Sequence, residues 1–518
     1  MYNINISNRR TYSLNNNSNK SNNSTGTGSR NKKSIKTSLK NNKSNSKRSI
    51  LSRHSIISNY KNKIIDSFIL FGCWNNIDCS SKYWKNNPIY RDIIINKIKK
   101  EKEKLVIVAG DNWYSQNFKY DGYVYKYYPY DILTTGYSLL FNNTNKEFDI
   151  ILGNHDENND KIIGCDNPYL KKDCMLKTQK YTIYKIANNI PIINTPSLEE
   201  LLNIDNKNLT INNINFFTCI DKPVIKELKK GVYILYINTN LFDNFTYKVR
   251  EQGKSNSITT RIMLSYVNHI EKILKIYNPK LLFVVGHNPL IAYKKKEFHK
   301  LSRIYDDADN SYIMEMFVKI LNNYKTLYLC ADVHNFNIAL LNKNLGTIIS
   351  GTGGGDPDIE NIEGKVNYFL SPNDNLFNIT NHYVYNAYGY TKIKYDKYLN
   401  VHVTYKQLFN AYKDIKMENK IIEKTINTYN FVFRNTADGW DLIKKNNRIS
   451  ENKIILNIPK LIDYKIKLCN KIVSNNKKNI TALSSQFVKS NKYKYNYLED
   501  DKNTPLLCFY KKKKIKNK

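Results

Sequence analysis

Cysteine and proline are scarce in this chain of 518 residues, with eight of the first and 12 of the second. The eight thiols (Cys73, Cys79, Cys165, Cys174, Cys219, Cys330, Cys469 and Cys508) are too sparse for a disulfide scaffold, so the fold must rest on an apolar core. Spacing leaves open whether Cys165 and Cys174 bridge. No apolar run approaches the roughly 18 residues of a membrane span. The opening stretch MYNINISNRRTYSLNNN has no apolar h-region of a signal peptide. A soluble protein made and kept inside a cell is the expectation. Acidic residues are absent from the first 60 positions, where Ser, Asn, Lys and Arg dominate. Such a segment buries too little apolar surface to offset its ordering entropy and reads as a disordered basic tail.

What is present is enough for a folded body. Hydrophobic residues make up 41% of the chain, while a mean hydropathy of -0.57 places substantial polar segments outside the core. The formal charge of +36 suits a polyanion, because clustered Lys and Arg release counterions from phosphate. Overuse of Lys, Asn, Ile and Tyr is equally what AT-rich coding produces, and the basic residues are dispersed as well as clustered. Both readings stand. Polyanion binding through the basic ends is one expected partnership, and no membrane span is expected.

From residue 66 the pattern changes to short apolar runs: SFILFG, KLVIVAG, FDIILG, INFFTCI, GVYILYI, KLLFVVG, TLYLC and GTIISG. Runs of this length, rich in β-branched residues, predict buried strands. Between them lie helical stretches such as PIYRDIIINKIKKEKEK, with Pro88 at a first helical position. Strands alternating with helices predict an α/β body of layered sheets. The tract ending at Tyr405 alternates with period two and predicts a closing hairpin. Three regions follow: a tail over 1–60, a body over 61–405, and a Lys- and Asn-rich extension over 406–518 with a terminal KKKKIKNK.

Residue types that bind metals recur just after predicted strands. Asp111 follows KLVIVAG, Asn154 and His155 follow FDIILG in GNHD, His287 follows KLLFVVG in GHNP, and His334 follows TLYLC in CADVHN. Any one of these is explained by turn chemistry, since Asn, Asp and Gly form good turns. Turn chemistry explains poorly why three of eight histidines share this position at the strand ends where open α/β sheets gather their sites. His54, His269, His299, His382 and His402 lack that context and read as surface or satisfied core residues.

With GDNWY, GNHD, GHNP, LCADVHNF and ISGTGGGDP in view, the chain resembles the calcineurin-like metallophosphoesterases, and among them the tartrate-resistant type of purple acid phosphatase. The resemblance runs from about Ser67 to Tyr405. It implies a four-layer α/β fold, two mixed β-sheets packed as a sandwich and flanked by helices. It also implies phosphate monoester hydrolysis by a metal-bound hydroxide at a dinuclear centre, iron paired with zinc, manganese or a second iron. Carried over residue by residue, Asp111 bridges the metals and Tyr114 and His334 bind the iron. Asn154 and His287 bind the second metal, and His155 faces the phosphate, with Asp111, His155 and His287 the catalytic set.

Two positions depart from the family pattern. Cys73 stands where a ligand aspartate of the first motif belongs, and Asp332 replaces the first histidine of the last. A thiolate binds iron or zinc, and a carboxylate favours harder ions such as manganese or magnesium; Cys73 also reads as a small buried hydrophobe. Near a further expected histidine the chain offers Lys296 and His299. A catalytically inactive phosphatase-fold scaffold and a nucleic-acid phosphodiesterase are the competing functions.

Overall fold

A computed structural model of the chain describes residues 66–77, 88–114, 117–120, 123–126, 129–157, 174–191, 196–206, 213–242, 257–294, 297–300, 311–355, 363–366, 376–409, 421–445, 448–457, 459–460, 463–472 and 474–475. The tail over 1–60, the terminal KKKKIKNK, Cys79, Cys165, Cys508, His54 and Lys296 lie outside these residues, as does the side chain of His299.

All eight apolar runs are strands, and they split between two sheets. Ser67–Phe71, Leu105–Val108, Glu147–Ile151 and Ile214–Phe217 pair in parallel at one end of a nine-stranded sheet. Its other end is antiparallel, continuing through Tyr388–Tyr395, Val401–Phe409, Ile421–Thr436 and Gly439–Lys444, with Arg448–Asn457 also pairing Ile421–Thr436. The predicted hairpin is the Tyr388–Tyr395 and Val401–Phe409 pair. The eight-stranded second sheet has its own parallel set: Val232–Tyr236, Leu281–Val285, Thr326–Cys330 and Leu345–Ser350. Val224–Lys229 flanks this set antiparallel on one side and Phe336–Asn342 on the other, where Asn381–Tyr385 and Glu363–Lys365 follow.

Side-chain alternation explains why the parallel runs are apolar throughout. Phe68, Leu70, Leu105 and Ile107 point inward and meet Leu281, Phe283, Val285, Leu327 and Leu329 of the second sheet. The alternate residues Ile69, Phe71, Val106 and Val108 point outward, under the helices Pro88–Lys100, Pro129–Phe141 and Cys174–Ala187. Leu282, Val284 and Tyr328 lie likewise under Ser257–Tyr277 and Ser311–Asn322. Strands covered on both faces lose the polar half of their alternation. The result is four layers, helix, sheet, sheet and helix, with three apolar seams; each fully buried Leu, Ile or Phe contributes about 1.5–3 kcal/mol.

Among the described residues no helix is long and apolar enough to cross a membrane. Among the described residues, Cys73, Cys219 and Cys330 form no disulfide, whereas Cys174 and Cys469 are each disulfide-bonded.

Candidate metal centre

Parallel strands deliver their following turns to one edge. Cys73, Asp111 and the Asn154–His155 pair leave the first sheet, and His287, Asp332 and His334 leave the second. Backbone hydrogen bonds fasten these turns together. Cys73 N donates to Gly110 O at 3.1 Å, Gly355 N donates to Cys73 O at 2.7 Å, and Ala331 N donates to His287 O at 3.0 Å.

Asp111 is buried, and its two carboxylate oxygens face different groups. Oδ2 accepts from the Tyr114 hydroxyl at 2.8 Å and from Cys73 Sγ at 3.7 Å. The Tyr114 oxygen in turn lies 3.0 Å from His334 Nε2. Oδ1 lies 3.2 Å from His287 Nε2 and accepts from the His155 backbone N–H at 3.2 Å. That same His287 nitrogen is 3.1 Å from Asn154 Oδ1 and 3.7 Å from Asp332 Oδ1. One carboxylate thus stands between a Cys, Tyr and His set and a His, Asn and Asp set.

Local backbone geometry sharpens the picture. Cys73, Asp111 and Asp332 all have positive φ, at 52°, 54° and 55°. Non-glycine residues are uncommon there, and such conformations gather at functional sites. Gly110, with φ 86°, makes the close approach possible: a Cβ on it would lie 2.6 Å from both Gly153 N and His287 Nδ1. A Cβ on Gly355 would lie 2.8 Å from His334 Cε1, so the glycine-rich segment forms the wall behind that histidine.

Electrostatics follow from the crowding. Burial pushes the Asp111 carboxyl up, but the His287 and His155 charges and the His287 and Tyr114 hydrogen bonds overcome it and hold it below the ordinary carboxylate range. Burial works against protonated His287, yet Asp111 and Asp332 lift it to about 10. Tyr114 is driven well above the ordinary phenol value, first by burial and then by Asp111. Because the Ala109 carbonyl accepts from His287 Nδ1 at 2.7 Å, Nε2 is the nitrogen that faces Asp111 and Asn154.

A second carboxylate, not singled out in the sequence, organises the two acidic turns. Asp156, the last letter of GNHD, is buried and accepts from Gly153 N at 2.7 Å and from Asn112 N and Nδ2, each at 2.9 Å. Gln179 Nε2 adds a contact at 3.2 Å. Burial and the Asp111 charge raise this carboxyl to about 8, against the pull of the Gly153 and Asn112 N–H groups. Behind Asn112, Asn75 Nδ2 donates to its carbonyl at 2.9 Å, and Asn75 Oδ1 accepts from the buried Arg91 at 2.7 Å. The motif letter was the one available signal for Asp156; Gln179, Asn75 and Arg91 carry none.

The donor set fits a metal. Cys73, Asp111 and His287 are buried and offer one ligand atom each within 4.8 Å of one another. Adjacent donors on a six-coordinate ion with bonds of about 2.1 Å lie about 3 Å apart, close to the Tyr114, Asn154 and His287 separations above. The five candidate ligands that the family resemblance implies, Asp111, Tyr114, Asn154, His287 and His334, and the two departures from its pattern, Cys73 and Asp332, lie together at one edge. His155 joins them at the rim, its ring 4.5 Å from that of Tyr114.

No protein-family profile and no curated protein matches this sequence. Among solved structures the chain is similar to that of PhoD, with a TM-score of 0.42 and 10% identity over 79% of this chain and 77% of that one. It is also similar to the purple acid phosphatase PPD1 from yellow lupin (Lupinus luteus) seeds, with a TM-score of 0.33 and 10% identity over 66% and 51%. Both likenesses are distant.

Proposed function

We propose that the chain is a metal-dependent phosphoesterase of the metallophosphoesterase type, related to purple acid phosphatases, that hydrolyses phosphate monoesters. The observation that carries the reading is the pair of Asp111 oxygens, each turned to a separate donor set. In this reading Asp111 is shared, Cys73, Tyr114 and His334 complete one side, and His287, Asn154 and Asp332 complete the other. Two bound ions, iron with zinc, manganese or a second iron, would supply Lewis acidity and activate water at neutral pH.

The chain's own groups do the rest. Ala109 keeps His287 Nε2 turned inward. Asp156 holds the Asn112 and Gly153 turns in register, so that Asp111 and Asn154 keep their spacing. His155 stands beside Asn154 at the rim, half-buried against Tyr114. From there its imidazole donates to a phosphoryl oxygen and passes a proton to the leaving alcohol. The 61–405 body supplies the proposed catalytic residues, while the strands Ile421–Thr436, Gly439–Lys444 and Arg448–Asn457 of the 406–518 region extend the first sheet.

A second reading has a specific observation behind it. The donors also satisfy one another, since Cys73 and Tyr114 donate to Asp111 and His287 reaches Asp111 and Asn154. An inactive scaffold that retained a hydrogen-bonded cluster would look the same. Hydrolysis of p-nitrophenyl phosphate by the chain reconstituted with iron, zinc or manganese separates the two. Activity that falls at least about 100-fold in His155→Ala, in the range of general acid contributions, supports the enzyme. Absence of turnover with every metal supports the scaffold.

A further inference from the structure

On the phosphoesterase reading, we infer that Trp113 is a positioning residue for His155, fixing the main chain from which that imidazole reaches the phosphate. Trp113 is 1% exposed, and its Nε1–H donates to the His155 carbonyl at 2.9 Å. The His155 N–H donates to Asp111 Oδ1 at 3.2 Å, so both backbone groups of this histidine are held. Tyr114 supplies a further contact, its ring 4.5 Å from the imidazole and tilted by 45°. Asp111, Trp113 and Tyr114 all belong to the one segment GDNWY, which therefore grips His155 by carboxylate, indole and phenol ring.

The grip matters because the local structure around His155 offers little of its own. Asn154–Glu157 is a helix of four residues, and the last four carbonyls of any helix have no intrahelical partner. The Trp113 indole supplies the donor that such a carbonyl lacks. Among the described residues neither imidazole nitrogen of His155 takes a hydrogen bond, which leaves the ring open to a ligand and without a tether of its own. Its place is then set by the main chain and by the Tyr114 ring. A buried indole N–H needs an acceptor, and here the acceptor is the carbonyl of the proposed proton donor. Displacing such a group by about 1 Å costs up to about 100-fold in rate.

The test compares the native chain, Trp113→Phe, His155→Ala and the double variant, each full length and reconstituted with metal. Phenylalanine keeps an aromatic ring in the core and removes the donor. Turnover of phenyl phosphate and of p-nitrophenyl phosphate is measured, because p-nitrophenolate leaves readily without a proton and phenolate does not. Trp113→Phe is expected to lower kcat on phenyl phosphate about 10- to 100-fold, to lower it less on p-nitrophenyl phosphate, and to leave KM and metal content per chain near native. The double variant should lose nothing beyond His155→Ala alone, since a residue acting through His155 then has nothing left to position. If Trp113→Phe does not fold, benzothienylalanine placed at that position replaces it, its sulfur standing for the N–H at nearly the same volume. Equal losses on both esters, or a loss that adds to that of His155→Ala, would overturn the assignment and leave the phosphoesterase reading standing. Native activity in Trp113→Phe would overturn it as well. A native chain that turns over neither ester would remove both.

Discussion

Asp156 accepts hydrogen bonds from both the backbone N–H and the side-chain amide of Asn112, each at 2.9 Å. Asn112 follows Asp111 directly, and Asp156 lies two residues after Asn154. One buried carboxylate therefore ties the Asp111 turn to the Asn154 turn. Above about pH 8, where the Asp156 carboxyl is ionised, Asp156→Asn would turn an amide N–H2 toward groups that only donate, leaving buried donors unsatisfied at about 1–3 kcal/mol each. Denaturant unfolding should show that loss of stability, and metal affinity should fall with it. An unchanged midpoint would mean that the turns are held by their backbone contacts alone.

Asn75 connects Arg91 to the Asn112 carbonyl, and its amide also donates to Ile132 O at 3.2 Å. Arg91 is 1% exposed and pairs with Asp92 at 2.7 Å. Truncation in Asn75→Ala removes three hydrogen bonds at once and leaves one guanidinium N–H without its acceptor. A destabilisation of about 3 kcal/mol or more is expected from the buried groups left behind, measured as a shift of the urea midpoint.

Gly355 is the wall behind His334, and its N–H holds the Cys73 carbonyl. Gly355→Ala should push the imidazole away from Tyr114, because the added methyl lies 2.8 Å from His334 Cε1 and 3.0 Å from the Cys73 oxygen. The expected outcome is weaker metal binding with little change in far-ultraviolet circular dichroism. Metal affinity equal to the native chain would show that the loop gives way instead.

His382 supplies a pH prediction away from the centre. It is fully buried, its Nε2 donates to Asn337 Oδ1 at 2.7 Å, and burial lowers its pKa from 6.5 to about 3. Between these values the unfolded chain binds the proton and the folded one does not. Stability from this group is therefore present above about 6.5 and is lost as pH falls toward 3, at up to about 1.4 kcal/mol per pH unit. His382→Gln, which keeps a donor for Asn337, should flatten that limb of the stability curve.

Cysteine state is directly measurable. Alkylation of the denatured, unreduced chain should label Cys73, Cys219 and Cys330 and leave Cys174 and Cys469 unlabelled until reductant is added. Labelling of Cys174 without reductant would contradict the disulfide.

How much of this was legible beforehand depended on whether a signal was local. The eight parallel strands were readable because each is buried on both faces and becomes a short apolar run, as in Leu281–Val285. Val224–Lys229 was harder to read, since its burial alternates and Lys226 is buried through pairing with Asp149 at 2.8 Å. Ile421–Thr436 carries Glu423, Lys424 and four threonine or asparagine residues before its apolar FVF, which masks its long pairing with Val401–Phe409. At the centre, residues with metal-binding side chains directly after strands could be found by type and place. Gln179 and Arg91 could not, because their roles come from partners 23 and 16 positions away that no periodicity marks. The positive φ of Cys73 and Asp332 was equally hidden, as neither is a glycine.

Asp111 faces two donor sets at once, one through each carboxylate oxygen. Metal content per chain, measured by elemental analysis after reconstitution with iron, zinc or manganese, tests this most directly. Close to two ions are expected in the native chain, with a clear loss in Asp111→Asn and the fold intact by circular dichroism. Native protein without stoichiometric metal under every condition, or an Asp111→Asn variant that retains both ions, would contradict it.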